Sequence, residues 1–257
     1  MEKFALITGA TAGIGSELAE IMAADGFALA LVARDQSRLT ARAGDLESRF
    51  RVPVKALAHD LSDPASPAKI FDQLKRESFP ISVLVNNAGF GVFGRFEETD
   101  LDKEMQMLQV NMGTLVQLTK LFLKPMLQHR DGRILNVAST AAFQPGPWLS
   151  LYSASKAFVY SLSCALSVEL EGTGVSVTTL CPGGTQTEFQ QRAGMAQKSG
   201  LFRPMTARRV AEIGYKAMLN RRPIVVAGLK NRLMIEASRR APTMWAARAA
   251  ANVNRTR

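Results

Sequence analysis

The chain has 257 residues, two cysteines and a net charge of +10 from 32 Lys+Arg against 22 Asp+Glu. That length suits one α/β sheet domain, which buries roughly three-quarters of its unfolded surface and needs no disulfide or metal staple. The charge does not mark a nucleic-acid binder. Residues 1–200 carry 19 basic against 20 acidic side chains, and residues 201–257 carry 13 against 2, so the excess lies at the C-terminal end.

Apolar runs alternate with segments of helical period along the whole chain. The runs Phe4–Thr8, Ala28–Ala33, Pro53–Ala58, Val83–Asn86, Arg133–Ala138, Val175–Cys181 and Ile224–Ala227 are short and continuously apolar. Strands of a parallel sheet covered by helices on both faces read this way. Helices are predicted over Ile14–Asp25, Ser37–Arg49, Ala65–Glu77, Val110–Gln128, Ala154–Glu171 and Thr206–Leu219, with Gly26 and Gly172 as stops. The alternation implies one doubly wound domain, a seven-stranded and mostly parallel sheet with right-handed crossovers, over residues 1–228. Residues 183–205 are polar and glycine-containing, and read as a lid. Residues 229–257 mix Leu233, Ile235, Met244 and Trp245 with arginines, and read as a basic helical extension packed on the same domain or a neighbouring subunit. No apolar run approaches the ~20 residues that cross a bilayer. With Met1-Glu2-Lys3 leading straight into the first strand, a cytoplasmic protein is expected.

The first strand breaks into Gly9-Ala-Thr11-Ala-Gly13-Ile14-Gly15 before a helix. Glycines at this turn let a pyrophosphate reach the backbone, and the helix offers free N–H groups and a positive dipole end. The turn points to a bound dinucleotide. Arg34 opens the loop after the second strand, where a guanidinium pairs with a 2′-phosphate, so NADP(H) is preferred. Asp35 beside it keeps NAD(H) open. Asp60, with Leu61 next to it, is placed to accept from the adenine amino group. Asn86, Asn87, Ala88 and Gly89 follow the fourth strand, where an amide can tie strands together and glycine admits the cofactor. After the sixth strand, Pro182 and Gly183 turn the chain near the nicotinamide. Thr185 or Thr187 could bond its carboxamide or the pyrophosphate, while Thr187 reads equally as a helix cap.

Tyr152 and Lys156 stand four apart on a helix, so they share a face. A phenol is a weak base at neutral pH, and a nearby ammonium favours its phenolate. Ser139, at the end of the fifth strand, could hold a substrate oxygen, and Asn111 could anchor a water leading to the lysine. Phe90, Phe93, Phe143, Trp148, Met195 and Phe202 are candidate walls of an apolar substrate pocket. His59 and His129 lack partners at useful spacing, and no metal site is expected.

In this order, Thr8-Gly-Ala-Thr-Ala-Gly-Ile-Gly15, Asn86-Asn-Ala-Gly89, Asn111, Ser139, Tyr152-Ser-Ala-Ser-Lys156 and Cys181-Pro-Gly183 resemble the short-chain dehydrogenase/reductase family, from residue 4 to about 190. The resemblance implies hydride transfer between a carbonyl and an alcohol. It implies Tyr152 as general acid/base, Ser139 as the orienting hydroxyl, Lys156 on the ribose and Asn111 on a relay water. It also implies a homodimer or homotetramer built on Val110–Gln128 and Ala154–Glu171. Phe90-Gly-Val-Phe-Gly-Arg-Phe96 looks like a bacterial subgroup of general oxidoreductases. One departure is Ala12, where NADP-using members often carry a second basic residue. The expected substrate is a lipophilic ketone or aldehyde, and the rival reading is a catalytically silent dinucleotide sensor or scaffold. The basic C-terminal segment could touch an anionic membrane, whereas nucleic-acid binding is not expected because aromatic platforms are missing.

Overall fold

The computed structural model describes residues 3–194 and 204–255. Seven strands, β1 Phe4–Thr8, β2 Ala28–Ala33, β3 Val54–Ala58, β4 Val83–Asn86, β5 Gly132–Val137, β6 Val175–Cys181 and β9 Ile224–Val226, form one sheet in the order β3-β2-β1-β4-β5-β6-β9. Every neighbouring pair in it is parallel. The strand order reverses beside β1. The carboxyl ends of β1 and β4 therefore open a crevice there, the place where open α/β sheets bind ligands.

Alternate residues of each strand feed opposite layers. Ala5 and Ile7 of β1 and Leu29 and Leu31 of β2 pack with Leu18 and Met22 of α1 (Gly13–Ala24), Leu39 and Leu46 of α2 (Gln36–Phe50), and Val210 of α8 (Ala207–Leu219). Leu6, Ala30 and Val32 face Ile70 and Leu74 of α3 (Ser66–Arg76) and Leu118 and Phe122 of α5 (Leu115–His129). Burying both faces explains the unbroken apolar runs, and each leucine fully withdrawn from water contributes about 1.5–3 kcal/mol.

The segment predicted as a helix over Val110–Gln128 differs. A helix α4 (Leu101–Leu108) precedes it, with Asp100 accepting from the Lys103 backbone N–H at 3.1 Å, and continues through a π-helical turn, Gln109–Thr114, into α5. The widened turn carries Asn111 inward, a common use of such bulges. The span read as a lid holds β7 (Thr185–Gln186), a short helix α7 (Phe189–Arg192) and β8 (Met205–Thr206), with β7 and β8 paired in parallel. Beyond β9 the chain forms α9 (Leu229–Arg240) and α10 (Thr243–Arg255). They lie against the loop before α6 (Ser150–Glu169): Ser238 donates to Gln144 Oε1 at 2.9 Å and Asn254 to the Pro147 carbonyl at 2.8 Å.

A buried polar chain locks the sheet to α6. Asn86 Nδ2 donates to Asn136 Oδ1 at 2.9 Å and to Thr119 at 3.1 Å, and Asn136 Nδ2 donates to Ser163 Oγ at 2.9 Å. Removing one buried partner leaves the others unsatisfied, at about 1–3 kcal/mol. Asn136→Ala is accordingly expected to lower Tm by roughly 3–10 °C in a thermal melt, with the circular dichroism spectrum unchanged.

Candidate active site

At the crevice, Gly9 (φ +68°) and Gly13 (φ +56°) lie in the left-handed region that favours glycine. At Gly15 the constraint is space: a Cβ would stand 2.3 Å from the Gly9 carbonyl oxygen. Asn87 fastens this turn to the end of β4, donating to the carbonyls of Thr8 (2.8 Å) and Gly9 (3.2 Å). Thr8 Oγ1 accepts from the N–H groups of Asn87 and Ala88, each at 3.0 Å. The first turn of α1 has neither a side-chain cap nor an acidic residue, so its N–H groups face the crevice unneutralised. Thr11 and Ile14 are half-buried along it. This bare cradle, which Cβ atoms would fill, fits a dinucleotide pyrophosphate.

Arg34 is exposed at the end of β2. Asp35 accepts from the Arg38 backbone N–H at 3.0 Å and caps α2. Sequence reasoning missed Arg38, whose guanidinium reaches the Thr11 carbonyl at 3.4 Å and Glu188 at 3.1 Å. Its signal was a second arginine within the first turn after Arg34. Asp60 accepts from the backbone and hydroxyl of Ser62, at 2.9 and 2.8 Å. The neighbouring Leu61 is buried, and its carbonyl accepts from Thr114 at 2.7 Å.

Ser139, Tyr152, Lys156 and Asn111 converge at the ends of β4 and β5. Ser139 Oγ accepts from the Ala141 N–H at 3.1 Å, which starts a 3₁₀ turn over Thr140–Phe143. Lys156 Nζ donates to the Val137 carbonyl at 2.9 Å and lies 5.9 Å from the centre of the Tyr152 ring. A Cβ on Gly89 would come within 2.9 Å of Asn111 Oδ1 and 3.2 Å of Lys156 Nζ, so both groups press on that glycine. Asn111 exchanges hydrogen bonds with the backbone of Phe90 (3.2 and 3.1 Å) and donates to Ser155 Oγ at 3.0 Å. Ser155, inside the Tyr152–Lys156 repeat, was a further omission.

Electrostatics correct one expectation. Burial pushes the Tyr152 phenol up to about 12, and the hydrogen bond with Ser139 only partly opposes it. Burial likewise lowers Lys156 to about 8, against a smaller opposing effect of Cys181. Burial therefore dominates at Tyr152, which stands as the neutral phenol at neutral pH. His59 is also lowered by burial, and among the described residues no group of histidine, cysteine and carboxylate side chains could hold a metal.

The remaining predicted residues divide. Thr187 Oγ1 accepts from the Phe189 N–H at 3.3 Å while its methyl would meet a Cβ on Gly13 at 2.9 Å, so it closes the turn ahead of α7, whose N-cap is Glu188, and covers the glycine turn. Thr185 donates to the Gly183 carbonyl at 3.0 Å, and the Pro182 carbonyl accepts from Thr140 at 2.8 Å. A Cβ on Gly183 would lie 2.5 Å from the Asn231 amide, so this glycine makes room for α9. Phe90 and Phe93 pack with Tyr152, Leu149 and Phe189, whose ring centre is 5.2 Å from that of Tyr152. Phe189 sat unnoticed among polar neighbours. Trp148 adjoins them, its carbonyl accepting from the Gly94 N–H at 3.0 Å. Phe143 is separate, 4.7 Å from the Tyr160 ring and 4.9 Å from the Arg239 guanidinium. Met195 and Phe202 lie outside the described residues.

Residues 3–198 match the family model described as short chain dehydrogenase. The chain belongs to this family. Sulfoacetaldehyde reductase 2 of Chromohalobacter salexigens is 36% identical over 221 residues, 83% of this chain and 87% of that protein. A short-chain dehydrogenase from Sphingobium yanoikuyae, solved in complex with NADPH, is 33% identical with a TM-score of 0.84, covering 91% of each chain. The bulky-bulky ketone specific alcohol dehydrogenase from Comamonas testosteroni is 26% identical with a TM-score of 0.79, covering 92% of each chain. The fold and family make this protein a short-chain dehydrogenase/reductase, an enzyme that interconverts carbonyl and alcohol groups.

The cradle offers a direct check. Gly15→Ala forces the Gly9 carbonyl away, and is expected to weaken NADPH binding at least about tenfold in a fluorescence titration, while the far-ultraviolet circular dichroism spectrum stays unchanged.

Proposed function

We propose that this short-chain dehydrogenase/reductase uses NADP(H) to interconvert a lipophilic ketone or aldehyde and its alcohol, with Tyr152 as the general acid/base. The observation that carries the reading is the neutral Tyr152 phenol hydrogen-bonded with Ser139 above the buried ammonium of Lys156. When bound, the nicotinamide supplies or takes up the hydride. In reduction, Tyr152 gives its proton to the carbonyl oxygen and Ser139 donates a hydrogen bond to the same atom. Lys156 stabilises the phenolate left behind and binds the ribose. Asn111 Oδ1, turned to the same glycine as Lys156 Nζ, holds the water that returns the proton.

Two features support NADP(H) over NAD(H). Arg34 and Arg38 flank the turn after β2, and Asp35 is engaged as a helix cap rather than presented to a ribose. The neighbour bound to NADPH shares the fold across nearly its full length. Phe90, Phe93 and Phe189 around Tyr152 support a lipophilic substrate, as does the likeness to a bulky-ketone dehydrogenase. The resemblance supports a homodimer or homotetramer through α5 and α6, whose exposed Leu127 and Val168 give such a contact apolar surface.

The test is turnover of a panel of bulky and linear ketones followed by NADPH absorbance. Tyr152→Phe is expected to lower kcat by about 10²–10⁴-fold with NADPH affinity nearly unchanged. Tight NADPH binding without turnover on any carbonyl would instead support the silent sensor. The pH dependence of binding supplies a second test. Lys156 is protonated below about 8 in the free protein, so its contact with the ribose is present at neutral pH and lost as pH rises. NADPH affinity is expected to fall through that region in the wild type and to show no such inflection in Lys156→Ala.

A further inference from the structure

We infer that α9 and α10 form a docking face for an anionic phospholipid bilayer, placing the mouth of the active site at the lipid boundary. The helices bury one narrow side, Ile235 on α9 and Ala246, Ala250 and Asn254 on α10. Outward they expose Leu229 (70%), Leu233 (64%), Met244 (63%) and Trp245 (68%). Isolated exposed leucines are ordinary, but a tryptophan together with several long apolar side chains exposed on two adjoining helices is not.

The charges around this surface choose its occupant. Among the described side chains of α9 and α10, five are basic (Lys230, Arg232, Arg239, Arg240 and Arg248) and one is acidic, Glu236, which pairs with Arg240 at 2.7 Å. A second copy seated face to face would set arginines against arginines. Arginines that keep their heads among lipid phosphates while leucine, methionine and tryptophan enter the acyl boundary satisfy both kinds of group. On the flank of α9, a cavity of about 300 Å³ at the outer edge of β9 is lined by Arg222, Arg232 and Arg239 with one carboxylate, Glu236, over Ile224, Val226 and Ile235, so its lining keeps a net positive charge toward an anionic headgroup.

The orientation bears on the reaction. Ser238 bonds Gln144, Asn254 bonds the Pro147 carbonyl, and Arg239 stacks on Phe143, all in the loop between Ser139 and Tyr152. A bilayer on this face would present carbonyl compounds dissolved in lipid beside that loop. The binding itself does not depend on the reductase reading, and its test needs no turnover.

The full chain is sedimented with vesicles of phosphatidylcholine alone and with vesicles containing about one-third phosphatidylglycerol. The expected result is binding at least about tenfold tighter to the anionic vesicles, released by high salt, with a blue shift in emission that Trp245→Phe removes. Leu233→Glu/Trp245→Glu is expected to abolish binding, and Arg232→Gln/Arg240→Gln to weaken it about fivefold or more per charge. Thermal melts and NADPH titration, both expected to be unaltered, show that these variants remain folded. Absent or equal binding to the two vesicle types would overturn the proposal. So would a loss of oligomer mass in Leu233→Glu/Trp245→Glu by light scattering, which would assign the face to a second copy.

Discussion

The side-chain amide of Asn111 fixes three elements at once. It is almost wholly buried in the π-helical turn between α4 and α5, holds the backbone of Phe90 from both sides, and donates to Ser155 on α6. Ser155 in turn donates to the Tyr152 carbonyl at 2.7 Å. The separation of the loop after β4 from the helix bearing Tyr152 and Lys156 is therefore set by hydrogen bonds in a dry interior, where each is costly to leave unmade. Gly89 lies between these groups because nothing larger fits against Asn111 and Lys156.

The glycine turn, the cluster of Asn111, Ser139, Tyr152 and Lys156, and the C-terminal helices form one connected structure. Asn87 joins β4 to the turn after β1, and Thr187 and Glu188 bring the segment after β6 over that turn, through Gly13 and Arg38. Gly183 then gives way to Asn231 at the start of α9. An exposed ion pair such as Arg38–Glu188 adds little stability. Its value lies in registering one segment against another.

The sheet was legible in the residues because strands covered on both faces must be apolar at every position; β1, β2, β4 and β6 begin and end where the apolar runs do. The glycine turn and the Tyr152–Lys156 spacing were legible because local geometry dictates them. What escaped detection depends on contacts distant in sequence. Asn111 bonds Phe90 and Ser155 across 21 and 44 positions, and those bonds accompany the wide turn where an ordinary helix was expected. Asp35 reads in the sequence as a residue that keeps NAD(H) open, and the bond it accepts from the Arg38 N–H, which makes it the cap of α2, depends on the folded start of that helix. Gly183 looked like a cofactor contact, yet the atoms that need its missing side chain belong to Asn231. Phe143 was among the candidate pocket walls, but from the 3₁₀ turn its ring packs on Tyr160 and Arg239.

Tyr152 and Lys156 also pull the fold's response to alkali in opposite directions. The unfolded chain keeps a proton on Lys156 up to about 10.5, whereas the folded chain releases it near 8, so this group adds stability as pH climbs between those values. Tyr152 acts oppositely: the unfolded chain loses its proton near 10 and the folded chain near 12, so stability falls across that window. At neutral pH neither relief nor penalty has begun, and the fold bears the full burden of a sequestered ammonium, of order 3 kcal/mol. Stability has thus been given up at the residue that the proposed reaction would need charged.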